Sequence, residues 1–168
     1  MLAYLFVVIA VAVRFLPHPW AFTPVGAALL YFGARQPRNR IWIPLALLAV
    51  SDVLLTRYTY WYAFTLDTLV TWAWYVGILL LGGWLRDNAR PLRLAGASLG
   101  ASVSFFLLSN FAVWAAWSMY PKDFGGLIDC YAAAVPFFRQ PIADLLFVAV
   151  FFSIGAFVEV RRRAAVRA

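Results

Sequence analysis

Two aspartates, an asparagine and tryptophan pair, one histidine and one cysteine are the side chains of this sequence best suited to recognising or transforming a small molecule. Asp52 closes an apolar stretch beside Ser51, and Asp144 opens another. A carboxylate in apolar surroundings is costly and normally faces a bundle interior or an aqueous cavity. Each aspartate therefore has two readings. One is an ion pair with the arginine five residues away, Arg57 for Asp52 and Arg139 for Asp144. The other is a hydrogen-bond acceptor in the wall of a pocket. Asp67 and Asp129 lie nearer to water.

Asn110 and Trp114 stand four residues apart, so on a helix they share a face, with a donor and acceptor amide one turn below a flat aromatic wall. That combination suits a ring-bearing ligand, although an asparagine there also serves as an interhelical bond worth about 1 kcal/mol. Trp20, Tyr120 and Tyr131 offer further stacking surface. His18, held between Pro17 and Pro19, sits in a stiff extended segment and is either structural or a ligand-gripping imidazole. Cys130, beside Asp129 and Tyr131, reads as a small buried hydrophobe or, in an exposed electropositive setting, as a nucleophile or soft-metal ligand. One histidine and one cysteine cannot make a closed zinc site. They would ligate a metal-bearing cofactor only by converging from opposite sides of one cavity, so no cofactor is assigned.

The elements that must position these residues are membrane helices. With 65% hydrophobic and 12% charged residues, and a mean hydropathy of +0.82, the 168-residue chain cannot hide its apolar surface in one soluble core. All fourteen basic residues except Arg14, Arg57, Lys122 and Arg139 fall into three clusters: 35–40, 86–93 and 161–167. Pairs of apolar stretches separate the clusters, which is the positive-inside pattern. It predicts six spans, near residues 2–16, 20–34, 41–56, 66–85, 94–117 and 142–160, with both termini cytoplasmic. The first stretch resembles a signal peptide, but no basic residue precedes it and no small-x-small site follows, so it is expected to be a retained span. Residues 125–138 are apolar enough for a short extra helix or re-entrant segment between spans five and six. The fold expected is thus all-α: one polytopic domain, a compact bundle of six transmembrane helices. Gly96 and Gly100, with Ala97, Ala101 and Ser104 beside them, form a small-residue face for close helix packing, within the bundle or between subunits.

The +7 charge alone would point to nucleic acid, but arginines at span ends without a continuous stripe fit anionic lipid headgroups better. A single cysteine excludes an intrachain disulfide framework. There is no glycine-rich phosphate loop, His-Glu-x-x-His helix or Gly-x-Ser-x-Gly elbow, so common hydrolases and nucleotide-driven pumps lack their machinery here.

The run from Arg14 to Ala27, with Pro17-His18-Pro19-Trp20 at its centre, resembles an uncharacterised family of small bacterial inner-membrane proteins. Ser51-Asp52, Ser109-Asn110-Phe111, Tyr120-Pro121, Cys130-Tyr131 and Pro136-Phe137-Phe138 fit the same resemblance. More distantly, the layout is similar to the substrate-binding S components of energy-coupling factor vitamin transporters. That similarity implies a six-helix bundle with an outward-open pocket capped by the loops after spans one, three and five. It also implies docking on an energy-coupling module through an Ala-x-x-x-Ala face in span one. Here Ala3 is followed by Val7 and Ala10 by Arg14, a departure that points to a solitary member. In cobalamin-specific relatives a cysteine near the pocket can contact the corrin metal, a part Cys130 would take by analogy.

The function expected is a binding and uptake protein, not an enzyme, for a small ring-bearing micronutrient of the vitamin or vitamin-precursor class. His18, Trp20, Asp52, Asn110, Trp114, Tyr120, Cys130, Tyr131 and Asp144 are its candidate binding residues. The alternatives are a structural or assembly subunit, or homo-oligomer, packing through the Gly96 face, and an enzyme acting on a lipid-linked substrate through His18, Cys130 and Asp129.

Overall fold

A computed structural model describes residues 1–16, 23–60, 65–138 and 140–167. Among these residues all regular structure is helical: α1 (Leu2–Val13), α2 (Val25–Arg35), α3 (Trp42–Leu55), α4 (Leu66–Trp84), α5 (Pro91–Ala116), α6 (Phe124–Ala134) and α7 (Gln140–Arg167). A turn of 3-10 helix, Arg38–Arg40, leads into α3, and a π-helical turn, Thr56–Tyr60, extends it. Local chemistry sets several boundaries. Pro91 opens α5 where its missing N–H costs nothing. The Asp123 carboxylate caps α6 by accepting from the Gly126 N–H at 2.7 Å. α6 is the short extra helix expected between the fifth and sixth apolar stretches.

Side-chain contacts at the helix ends define the bundle. At one end, Arg40 donates to Tyr4, Arg86 donates to the carbonyls of Gly33 and Gln36, and Arg35 pairs with Glu159. These bonds bring the start of α1 and α3 together with the end of α2, α4 and α7. At the opposite end, Arg14 meets Asp52, Gln140 meets Thr23, and Trp117 meets Asp67. The six helices other than α6 therefore alternate in direction, and members of all three arginine clusters lie toward one end.

Four helical stretches among the described residues are long and apolar enough to cross a membrane: Arg38–Thr59, Leu66–Trp84, Pro91–Ala116 and Gln140–Val166. α1 and α2, with 12 and 11 residues, are shorter. At ~1.5 Å rise per residue they extend roughly 18 and 16 Å, against about 30 Å of hydrocarbon. Of the six stretches expected to cross, four of the described helices have the length and composition for it, and α1 and α2 are short. For α2 the reason is enclosure: every residue from Val25 to Ala34 is buried, with α1, α4, α5 and α7 packed around it. A helix surrounded by protein need not match the lipid thickness.

Apolar burial drives little association inside a bilayer, so close packing and hydrogen bonds must hold such a bundle. Glycine permits the closest contact. A Cβ at Gly33 would strike the carbonyl oxygen of Leu79, and one at Gly82 would strike that of Leu30, so α2 and α4 touch backbone to backbone. Gly155 on α7 makes room for the Tyr31 ring in the same way. Within the bundle, however, Gly96 and Gly100 do not serve as the close-packing positions. Both face open space, whereas their neighbours Ala97, Ser98 and Ala101 are buried. The helix register turns the alanines inward and the glycines outward.

Candidate functional site

A cavity of about 610 Å³ opens at the end of the bundle opposite the arginine clusters, where α2, α4 and α7 begin and α1 and α3 end. Its volume lies within the usual range for small-molecule sites, roughly 300–1,000 Å³. α4 supplies Asp67, Thr68, Thr71, Trp74 and Tyr75, successive positions of one helical face. α5 supplies Ser102, Phe105, Phe106, Ser109 and Asn110, and Phe138 adds a ring beyond α6. The described walls therefore mix aromatic rings with a larger number of hydroxyl, amide and carboxylate groups. A second cavity, about 700 Å³, lies at the arginine end among Arg35, Arg162, Arg163 and Glu159. Its described lining holds none of the predicted binding residues and one aromatic ring, Tyr31, so the first cavity is the candidate site.

Asp52 lines the site with its carboxylate satisfied from two sides. Arg14 donates to Oδ1 and also to Ser51 Oγ, while Trp72 Nε1 donates to Oδ2 at 2.8 Å. The expected partner was Arg57; the actual one comes from the end of α1, so the pair ties α1 to α3. Asp144 is 2% exposed and lies in the first turns of α7. Ser102 Oγ donates to its Oδ2 at 2.6 Å and Gln140 Nε2 to its Oδ1 at 2.9 Å. A Cβ at Gly26 would come within 2.9 Å of Asp144 Oδ1, so glycine there is what lets the carboxylate sit against the first turn of α2. Arg139 lies outside the described residues.

Asn110 also lines the site, and its Nδ2 donates to the Phe106 carbonyl at 2.8 Å. Trp114, expected above it, is turned elsewhere. Its Nε1 donates to the Pro121 carbonyl at 2.8 Å, and Lys122 lies over its ring at 5.6 Å while donating to the Trp114 and Trp117 carbonyls. Trp114 is thus a brace for the turn between α5 and α6. Cys130 is 3% exposed, donates to the Asn110 carbonyl at 3.5 Å and stands behind the cavity wall. Burial pushes its thiol above the ordinary range, opposite to what a nucleophile requires. Tyr131 donates to the Leu107 carbonyl at 2.6 Å, and Tyr120 is half-exposed in the turn before α6; neither lines the cavity. His18 and Trp20 lie outside the described residues. Of the nine predicted binding residues, the cavity gathers Asp52, Asn110 and Asp144.

The residues not anticipated are Arg14, Gly26, Ser102, Gln140 and the α4 face. Thr68, Thr71 and Tyr75 recur at helical spacing beside Asp67, a stripe legible in advance. Ser102 and Gln140 had no such signal, because their role depends on facing Asp144. Among the described residues no three His, Cys, Asp or Glu side chains come together as a metal-binding group. The described lining contains aromatic rings, hydroxyls, amides and carboxylates, but no His, Cys or Lys. Asp129 is exposed while Cys130 is buried, and no hydrogen bond joins them.

No curated protein and no solved structure matches this chain. The helices that form the bundle and wall the cavity all fall within a match to a known family: over residues 1–166 the chain belongs to DUF6580, a family of unknown function.

Proposed function

We propose that this protein is a membrane-embedded binding and uptake protein for a small ring-bearing micronutrient of the vitamin or precursor class, resembling the S components of energy-coupling factor transporters. The observation that carries this reading is the cavity of about 610 Å³, with aromatic rings and polar groups on separate helices. In this reading α1 to α5 and α7 are six spans of a bacterial inner-membrane protein. Both termini and the arginine clusters lie on the cytoplasmic side, and the cavity opens outward beside α6. Release inward requires a second conformation in which the contacts across the cavity, Arg14 with Asp52 and Gln140 with Thr23, give way. The buried positions of Ala3, Val7 and Ala10 favour a solitary protein, because the α1 face expected to dock on a coupling module is used inside the bundle.

Native mass spectrometry of the gently purified protein tests the reading. A stoichiometric ring-bearing compound that co-purifies, and is lost from Asn110→Ala and from the cavity-filling Ser109→Trp, is the expected result. A protein that stays empty in cells supplied with rich medium would sink it.

One observation favours an assembly role instead. Gly96 and Gly100 face open space next to exposed Leu92, Leu99 and Val103, a surface that a neighbouring helix could approach closely. Gly100→Trp separates the readings. It would dissociate a partner or second copy without touching a cavity ligand.

A further inference from the structure

The charge balance of the cavity narrows its occupant, and we infer that the site takes a cation carried on an aromatic ring, such as a protonated ring amine or a quaternised ring nitrogen. This inference rests on the binding reading above. Among the described residues, three carboxylates, Asp52, Asp67 and Asp144, line the cavity against one guanidinium, Arg14. Arg14 is committed to Asp52 and Ser51, so its charge is answered within the protein. Asp67 accepts from Thr65 and from Trp117 Nε1, and Asp144 from Ser102 and Gln140; all are neutral donors. Among the described residues neither Asp67 nor Asp144 has an ion-pair partner.

Asp144 is the more demanding of the two because it is 2% exposed. Water cannot share its charge as it does at a surface, and a buried charge without an opposite one is strongly unfavourable. The adjoining first turn of α2, reached across Gly26, supplies the partial positive charge of a helix start, about half an elementary charge. That offsets part of the burden of one carboxylate and leaves the described lining negative. The aromatic lining adds to the selection, since Trp74, Phe105 and Phe106 offer ring systems that attract cations. An anionic nutrient, such as a ring carboxylate or a phosphate ester, would meet two carboxylates and no available cation among the described lining. The hydroxyls of Thr68 and Thr71 and the amide of Asn110 would then orient the neutral part of the ring.

Three single-ring probes of similar size and different charge decide the matter: benzylamine, benzyl alcohol and benzoate, titrated calorimetrically at pH 7 into the wild-type protein in nanodiscs, with empty nanodiscs as control. Benzylamine should bind at least tenfold more tightly than benzyl alcohol, and benzoate should not bind. Asp144→Asn, which keeps shape and hydrogen bonding, should lower benzylamine affinity about tenfold and leave benzyl alcohol within twofold. The wild-type series stands alone if that variant does not fold, and Asp67→Asn then provides the second charge removal. The inference is overturned if benzoate or benzyl alcohol equals benzylamine, or if both charge removals leave the preference intact. A co-purified ring compound that is neutral or anionic, and is lost from Asn110→Ala, would overturn the cation assignment while leaving the uptake reading standing. Absence of any co-purified compound together with no binding of any probe would remove both.

Discussion

Arg14 and Asp52, separated by 38 positions in sequence, form an ion pair that joins the end of the first helix to the last turns of the third. Their side chains are only 17% and 11% exposed, and Ser51 and Trp72 complete the cluster with hydrogen bonds. Removing one member of such a pair leaves the other charged and poorly hydrated. Arg14→Gln or Asp52→Asn alone should therefore cost about 2–4 kcal/mol, scaled down from fully buried pairs because some exposure remains. The double replacement should cost less than the two singles together. Reversible unfolding in mixed micelles, run as a double-mutant cycle, gives the coupling; additive costs would show that the two charges do not depend on one another.

The backbone contact between α2 and α4 makes a second prediction. Gly33→Ala and Gly82→Ala each place a methyl against a carbonyl oxygen of the facing helix, and should destabilise the bundle by about 1–3 kcal/mol or prevent assembly. Gly96→Ala and Gly100→Ala meet open space and should change monomer stability by less than about 0.5 kcal/mol. Thermal unfolding of the four variants in one detergent ranks them, and equal effects at all four positions would contradict this packing.

Cys130 should be slow to react. Its thiol is buried and held above its ordinary range by that burial, so it stays protonated at pH 7 and needs a higher pH than a free cysteine to form thiolate. N-ethylmaleimide should label the native protein at least tenfold more slowly than the unfolded chain. It should remain slow near pH 8.5, where an ordinary thiol is about half ionised. Fast native labelling at pH 7 would mean that α6 opens readily from α5.

The end-to-end arrangement is testable by accessibility. In a Cys130→Ala background, single cysteines replacing Arg38 and Arg90 should be labelled by a membrane-impermeant reagent from one side only, and a cysteine replacing Lys122 from the other. Labelling of all three from the same side would refute alternating membrane crossings.

Much of the architecture was legible from the chain because it depends on quantities that run along the chain. Two apolar stretches predict their helices to within a few residues, 66–85 against Leu66–Trp84 and 94–117 against Pro91–Ala116, whereas the last helix runs on through the basic tail to Arg167. The spacing of the arginine clusters predicts that they share an end, and Arg86 reaching Gly33 and Gln36 shows two clusters doing so. The short helix before Pro136 follows from composition in the same way. The enclosure of α2 was not legible, since hydropathy cannot distinguish a helix bathed in lipid from one wrapped by its neighbours.

The candidate site was legible only in part. Asp52, Asp144 and Asn110 announce themselves as polar side chains in apolar stretches, and the cost of leaving such groups in hydrocarbon points them inward wherever the helices stand. An aromatic residue carries no such constraint. Trp114 and Trp74 are equally at home in a cavity wall or against a loop, and a small change in helix rotation exchanges the two environments. The arginine that would answer Asp52 was likewise ambiguous, because Arg57 is near in sequence while Arg14 is near in space. By itself the amino-acid sequence determined that this is a helical membrane protein with its basic residues gathered toward one end, since transfer energies and charge spacing are properties of the chain. The partner of each carboxylate, the rings that wall the cavity and the glycines through which helices touch were decided by tertiary structure alone. They depend on the rotation and register of helices packed against one another, which the contacts of Gly33 and Gly82 establish only once α2 and α4 have met.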